Sequence, residues 1–377
     1  MEELLRALDA VNRAERPRLH ACDDLWDGNA VRRQGQVLAF WNGINDVKEA
    51  YREKTYAGID GEKSPMDAAE LAGVLEGFAD TVRSGIRKAE VLGSGSIPTY
   101  FAYEVPEYRV GKNGITPLRF VPVDLPHFLE GAARWMKLPQ TPEKKRAVYQ
   151  ALRSSDLYDR PLKMYKVNAS LGEASYELGR SVAFPPGWLE NESVWLHMEY
   201  KHLLELLRSG LYEEFFEDFQ NAAIPFLDPE VYGRSIYENS SFLVSSAYPD
   251  KALHGKGFVA RLSGSTVEFL SIWKRMLFGP HVLSVENGVV CFTPRPAIPR
   301  CLIPKSGEVS AMLFGGTKLR YHFAQIRDHI PGTYTIRSMR FTYADGRHAE
   351  CAGDRAAGAV PLDLRGGRIQ TVDIEIE

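Results

Sequence analysis

The stretch PGWLENESVWLHMEYKHLLELL, residues 186–207, decides how the rest of the chain is read. Val194, Met198, Leu203, Leu204 and Leu207 recur at helical spacing and predict an amphipathic helix over about 193–209. Ser193 or Asn191 is placed to cap it. Trp188, Glu190, Asn191, Glu192 and His197 nevertheless crowd the helix start with more polar side chains than capping requires. A helix start presents unpaired N–H groups and a partial positive charge. An imidazole and an amide beside it therefore make a seat for a small anion such as phosphate. The competing account is a histidine packed on the helix flank, with Glu190 and Glu192 set favourably against the helix dipole.

A second helix start has the same character. ARLSGSTVEFLSIWKRML (260–277) sets Arg261, Ser263, Gly264, Ser265 and Thr266 immediately before an apolar helical run. Hydroxyls and a glycine at such a position donate to phosphate oxygens, or simply cap the helix and allow close packing.

Working outward, helical spacing recurs near 2–14, 42–54, 66–90, 124–137, 142–155, 193–209, 210–221 and 266–278. Long stretches such as VLGSGSIPTYFAYEVPEYRVGKNGITP (91–117) read as loops, and loops of that length in a compact domain tend to be binding loops. From about residue 281 the pattern shortens and alternates: VLSV, VVCFTP, VSAMLF, KLRYHFAQ, GTYTIRSMRFTY, HAECAG and VDIEIE. These predict an all-β tail in the form of a small β-sandwich. The expected fold class is mainly α with an all-β C-terminal region, divided into 1–285 and 286–377.

The chain has 377 residues, 44% hydrophobic and 25% charged, a composition that supports a sizeable core. With 46 basic and 49 acidic residues the net charge is −3, which gives no global field for nucleic acid or an anionic membrane. Cys22, Cys291, Cys301 and Cys351 lack CxxC spacing, so neither a zinc cluster nor a disulfide scaffold is expected, and no metal site. No apolar run of about 18 residues occurs, and MEELLRALDAVNRAERPRLH lacks the character of a secretory leader. A cytoplasmic protein without membrane spans is expected. Walker A, GxGxxG, GxSxG and HExxH elements are missing as well.

Aromatic and amide residues cluster in WNGIND (41–46), TYFAYE (99–104), MYKVN (164–168) and YGRSIYENSSF (232–242). Sugar rings take aromatic faces against their C–H surfaces and polar groups against their hydroxyls. In ACDDLWDGNAVRRQG (21–35), Asp23, Asp24 and Asp27 surround Trp26. A carboxyl beside an indole is partly desolvated, which raises its pKa and suits it to give a proton, unless the segment is an ordinary acidic surface loop.

Three stretches together resemble the late part of the catalytic domain of cellobiose-phosphorylase-like proteins: 128–159, 185–215 and 232–279. That family cleaves β-glucosides or β-glucans with inorganic phosphate, inverting the anomeric centre, on an (α/α)6 barrel flanked by β-sandwich domains. The resemblance spans about residues 20 to 285. WLENESVWLH is similar to a Glu-Asn-Gly-Gly segment ending in a phosphate-binding histidine, which implies that role for His197. Glu192 and Ser193 stand where the family carries two glycines. ARLSGST is similar to a Trp-Leu-Thr-Gly-Thr segment and implies phosphate contacts for Ser263 or Ser265.

The family's general acid sits in an Asp-Trp-Asn-Asp motif, to which DDLWDG offers Asp27, 197 − 27 = 170 positions before His197. Asp24 and Asp46 are the alternatives. Sugar contacts are expected from Trp26, Trp188, Glu190, Asn191, Tyr237, Glu238, Asn239 and Arg261. The resemblance thus implies a partial (α/α)6-barrel-like domain and an inverting glycoside phosphorylase whose only cofactor-like requirement is phosphate as co-substrate. The partner is an oligosaccharide or glucoside. A homo-oligomer, or a complex with a chain supplying the remaining barrel helices, is expected. In an inverting reaction one acid protonates the leaving oxygen, and phosphate, already anionic, needs positioning rather than a base. A non-catalytic sugar-binding or assembly subunit and a hydrolase or transglycosylase are the other readings.

Overall fold

The computed structural model describes residues 10, 31–58, 61, 65–93, 95, 97–99, 101–112, 114–259 and 263–377. Contacts divide the chain into two units, Met1–His127 and Phe128–Glu377.

In the first unit α1 (Val31–Tyr56) is followed by α2 (Ala68–Leu92), whose start is capped by the Asp67 carboxylate accepting from the Ala69 and Glu70 N–H groups. Next comes an antiparallel hairpin of β1 (Phe101–Gly111) and β2 (Gly114–Asp124). Residues 91–117, expected as a loop, therefore contain a strand and the start of its partner. Prolines 106, 117 and 122 hide the alternation. Pro106 falls within the register shift between Glu104 and Glu107, as expected for a residue that has no N–H to give a ladder.

The second unit opens with α3 (Leu129–Trp135) and α4 (Pro142–Ser154), the latter capped by Thr141 with proline in its first turn. Short strands β3 (Tyr158–Asp159) and β4 (Met164–Tyr165) pair antiparallel. Then come β5 (Val194–Trp195), α5 (Leu196–Arg208), α6 (Tyr212–Ala222) and α7 (Pro229–Tyr232). β6 (Phe242–Leu243) and β7 (Gly257–Phe258) complete a three-stranded sheet with β5 and lead to α8 (Ser263–Phe278).

Helix α5 is the hub, since α3, α6 and α8 all pack on it. Leu196, Tyr200, Leu203 and Leu206 are fully buried there, and so are the polar Glu199 and His202. Rings bridge the helices, with Tyr200 against Phe269 and Phe219 against Trp273.

The chain continues through β8 (Ser284–Glu286), β9 (Val289–Phe292), β10 (Glu308–Leu313), β11 (Thr317–Phe323), β12 (Ile336–Tyr343), β13 (His348–Ala352) and β14 (Ala356–Ala357). It closes with α9 (Ala359–Arg365) and β15 (Ile369–Ile376). One sheet runs β10-β11-β15-β12-β13 and a smaller one β14-β9-β8. The β11–β15 pair is parallel. Leu319, Tyr321, Met339, Phe341, Val372 and Ile374 alternate inward and are fully buried, while Lys318, Arg320 and Glu375 face the other way. These strands belong to the same unit as α8: the Tyr321 hydroxyl donates to the Leu277 carbonyl, and Ala297 N–H donates to the Met276 carbonyl at 2.7 Å.

The expected fold class is therefore corrected. The protein is mixed α and β, not a mainly helical partial (α/α)6 barrel followed by an all-β sandwich. Nine helices and five sheets alternate among the described residues, and helix packing converges on α5 instead of passing round a ring of hairpins. The periodicity located the helices well, but a count of helices carries no information about which of them touch. Among the described residues no helix is long and apolar enough to cross a membrane.

Candidate functional site

The loop before α5 is built by backbone geometry before any chemistry. Gly187 has φ +81°, and a Cβ there would lie 2.5 Å from the Tyr248 backbone nitrogen, so only glycine fits. Trp188 follows and packs into Phe242, Tyr248 and Phe258. Leu189 and Glu192 both take left-handed backbone conformations, with φ of 48° and 58°. Asn168 holds this turn from beside β4: its side-chain amide donates to the Glu190 carbonyl, and its carbonyl oxygen accepts from Glu192 N–H, both at 2.6 Å. The Glu192 carboxylate is itself buried and paired with Lys166 Nζ at 2.8 Å.

Asn191 and Ser193 do not cap the helix. Their side chains donate to the carbonyls of Phe184 and Leu189, and α5 begins at Leu196 after Trp195, without a side-chain cap. The polar excess is thus divided between loop-building groups and those that face outward. Those facing outward meet in one cavity of about 440 Å³, lined among others by Arg180, Glu190, Trp195, His197, Phe242 and Ser265.

His197 lies in the first turn of α5 and half emerges, its Nε2 3.7 Å from a Glu268 carboxylate oxygen on α8. Burial and the nearby Lys201 hold its pKa below the ordinary histidine value, against the opposite pull of Glu268. Its ring is therefore neutral near pH 7 and offers one N–H. Ser265, in the first turn of α8, is 3% exposed, and its hydroxyl has no hydrogen-bond partner among the described residues. Ser265 lines the cavity, and a buried hydroxyl left without a partner there calls for a ligand or water. Phe184, Trp195 and Phe242 supply apolar walls.

The structure brings Ser265, from the start of α8, to the same cavity as Glu190 and His197, which lie seven positions apart in sequence. Other expected site residues have different duties. Trp188 and Asn191 support the loop from behind. The Asn239 side-chain oxygen accepts from the Tyr200 hydroxyl at 3.1 Å, Glu238 pairs with Arg234 at 2.6 Å, and Tyr237 is 95% exposed. None of these five expected residues lines the cavity. Asp46 is exposed on α1 in the first unit. Asp24, Trp26, Asp27 and Arg261 lie outside the described residues, as does the side chain of Ser263.

Arg180 was not singled out by any motif. It opens a single 3-10 turn, Arg180–Ala183, and its guanidinium grips both carboxylate oxygens of Glu190, with Nε to Oε2 at 2.8 Å.

No protein-family model matches this chain, and no curated protein matches it significantly.

Proposed function

We propose that the cavity binds phosphate beside a sugar and that the protein is an inverting glycoside phosphorylase, moving a glucosyl unit from a β-glucan or β-glucoside to inorganic phosphate. The observation that carries this is the convergence of His197 and Ser265, from two separate helix starts, on one cavity that also holds Glu190. The neutral imidazole and the unpartnered hydroxyl can both donate to phosphate oxygens, and the uncapped start of α5 adds a favourable local dipole. Aromatic walls with a carboxylate at their edge suit a sugar ring. A further support is Glu192: it occupies a position where the family carries glycine, and its φ of 58° is the conformation glycine adopts most easily. Asp27 is the proposed acid; Asp24 and Asp46 are the alternatives.

In this reading phosphate attacks the anomeric carbon from the face opposite the leaving oxygen, and the acid protonates that oxygen as the bond breaks. His197 and Ser265 hold the nucleophile in line, so their contribution is positional. No cofactor is required beyond phosphate. A cytoplasmic setting, where phosphate is supplied, and association with a second chain belong to the same proposal.

The test is phosphate-dependent release of glucose 1-phosphate from β-linked gluco-oligosaccharides, together with direct titration of phosphate. His197→Ala and Ser265→Ala are each expected to weaken phosphate binding by about tenfold or more, the loss of one or two good hydrogen bonds. If no glucose 1-phosphate appears and His197→Ala binds phosphate as the parent does, the reading is lost. A second reading, sugar binding without turnover, rests on Glu190: the only carboxylate among the described lining residues is already engaged as an acceptor by Arg180. Binding of the oligosaccharide without any release of product would favour it.

A further inference from the structure

We propose that Arg180 is the cation that receives phosphate at the mouth of this cavity, and that Glu190 stores its guanidinium until the anion arrives. The inference rests on the phosphate reading above and names a residue that reading does not use. The argument is one of charge. Phosphate near neutral pH carries between one and two negative charges, and drawing it from water into a partly apolar cavity is unfavourable without a compensating cation. Burial and Lys201 disfavour a positive charge on His197, so the imidazole is a poor source of it. Ser265 supplies a hydroxyl only. Among the described lining residues Arg180 is the one arginine or lysine.

Geometry favours exchange. The Arg180 side chain is 78% exposed, while that of Glu190 is 26% exposed, so the carboxylate belongs to the wall and the guanidinium to the opening. An ion pair with one partner largely in solvent is weakly held, and the long arginine arm can swing from it. The planar fork that now meets both oxygens of Glu190 matches two oxygens of phosphate equally well. Phosphate and Glu190 therefore compete for the same guanidinium. Once Arg180 turns to phosphate, the Glu190 oxygens are released to accept from sugar hydroxyls, so the first substrate prepares the contact for the second.

Competition gives the two partners opposite signs, which a mere structural brace would not. Inorganic phosphate is titrated calorimetrically into the full-length protein at fixed low salt, with circular dichroism melts to confirm folding. Arg180→Ala is expected to weaken binding by about tenfold or more, and Arg180→Lys, which keeps the charge but not the fork, by less. Glu190→Gln is expected to tighten binding by about threefold, because the guanidinium is no longer held. If Arg180→Ala binds phosphate unchanged while His197→Ala does not, the assignment to Arg180 is overturned and the cavity reading survives. If Glu190→Gln weakens binding as much as Arg180→Ala, the pair is a brace and the proposal fails. If neither His197→Ala nor Arg180→Ala alters binding, the phosphate reading falls and takes this inference with it.

Discussion

Two histidines on α5 lie five residues apart and live in opposite worlds. His197, in the first turn, half faces a cavity. His202 is fully buried, stacked near Tyr149 and edge-on to Tyr165, and neither ring nitrogen has a hydrogen-bond partner among the described residues. Around it Glu199 accepts from Tyr165 N–H at 3.0 Å, and Asp218 accepts from the Tyr165 hydroxyl and from Arg153. Burial lifts Asp218 to about 7 despite the guanidinium 3.1 Å away, raises Glu199 well above the carboxylate range, and lowers His202 to about 3. Strongly perturbed groups therefore sit in the sealed half of the helix, and the modestly perturbed one sits where a ligand can reach. Accessibility, not the size of the perturbation, separates a site from a polar core.

The largest expected break lies in the loop that shapes the cavity wall. Lys166→Met leaves the buried Glu192 carboxylate without its cation and is expected to destabilise the fold by about 3–5 kcal/mol in urea titrations. A loss below about 1 kcal/mol would show that the pair contributes little and that the turn is held by Asn168 alone.

The next test uses pH. The folded pKa of Asp218 is raised, so between about 4 and about 7 the folded state holds more protons than the unfolded one and stability falls as pH rises. His202 is the reverse: its folded pKa is lowered, the unfolded state holds the extra proton between about 3 and about 6.5, and stability rises with pH. Each full proton is worth about 1.4 kcal/mol per pH unit, and in the parent the two trends oppose each other. Because Glu199, also raised, adds to the Asp218 trend, the variants are read against the parent: Asp218→Asn should shift the change in stability between pH 4.5 and 6.5 upward, whereas His202→Phe should shift it downward. Parallel pH profiles for the two variants would refute the sealed-cluster account.

The smallest effect belongs to the accessible histidine. His197→Ala should change the unfolding free energy by no more than about 0.5 kcal/mol, because the ring makes no short hydrogen bond and is partly solvated. At pH 7, His202→Phe should be neutral or stabilising by about 1 kcal/mol, since two buried nitrogens without partners are replaced by carbon. A destabilised His197→Ala would mean that this residue is part of the core after all.

Much of the secondary structure was legible. Seven of the anticipated helices overlap α1, α2, α3, α4, α5, α6 and α8, and the alternating tail segments coincide with β8–β13 and β15. The hairpin β1–β2 was hidden by its prolines. On α5, Glu199 and His202 are polar in sequence, yet neighbours from α6 and β4 cover them, which helical spacing alone does not reveal. At the site, the two helix starts could be picked out by their excess of hydroxyl, acid and imidazole groups. That Asn191 and Ser193 build a turn while Glu190 faces a cavity depends on φ values at Leu189 and Glu192, which no composition reveals. Arg180 was invisible because its significance comes entirely from a through-space partner.

The order of strands in the five-stranded sheet bears on how the chain is made. β15 comes last of the five in sequence but occupies the middle of the sheet, joining β11 on one side to β12 on the other. As the ribosome delivers the chain, β10–β11 and β12–β13 emerge as two hairpins, each with an apolar inner face and an unfilled edge, and nothing welds them until residues 369–376 arrive. Chains truncated just before residue 369 therefore expose the strand edges and inner-face side chains that holdase chaperones bind.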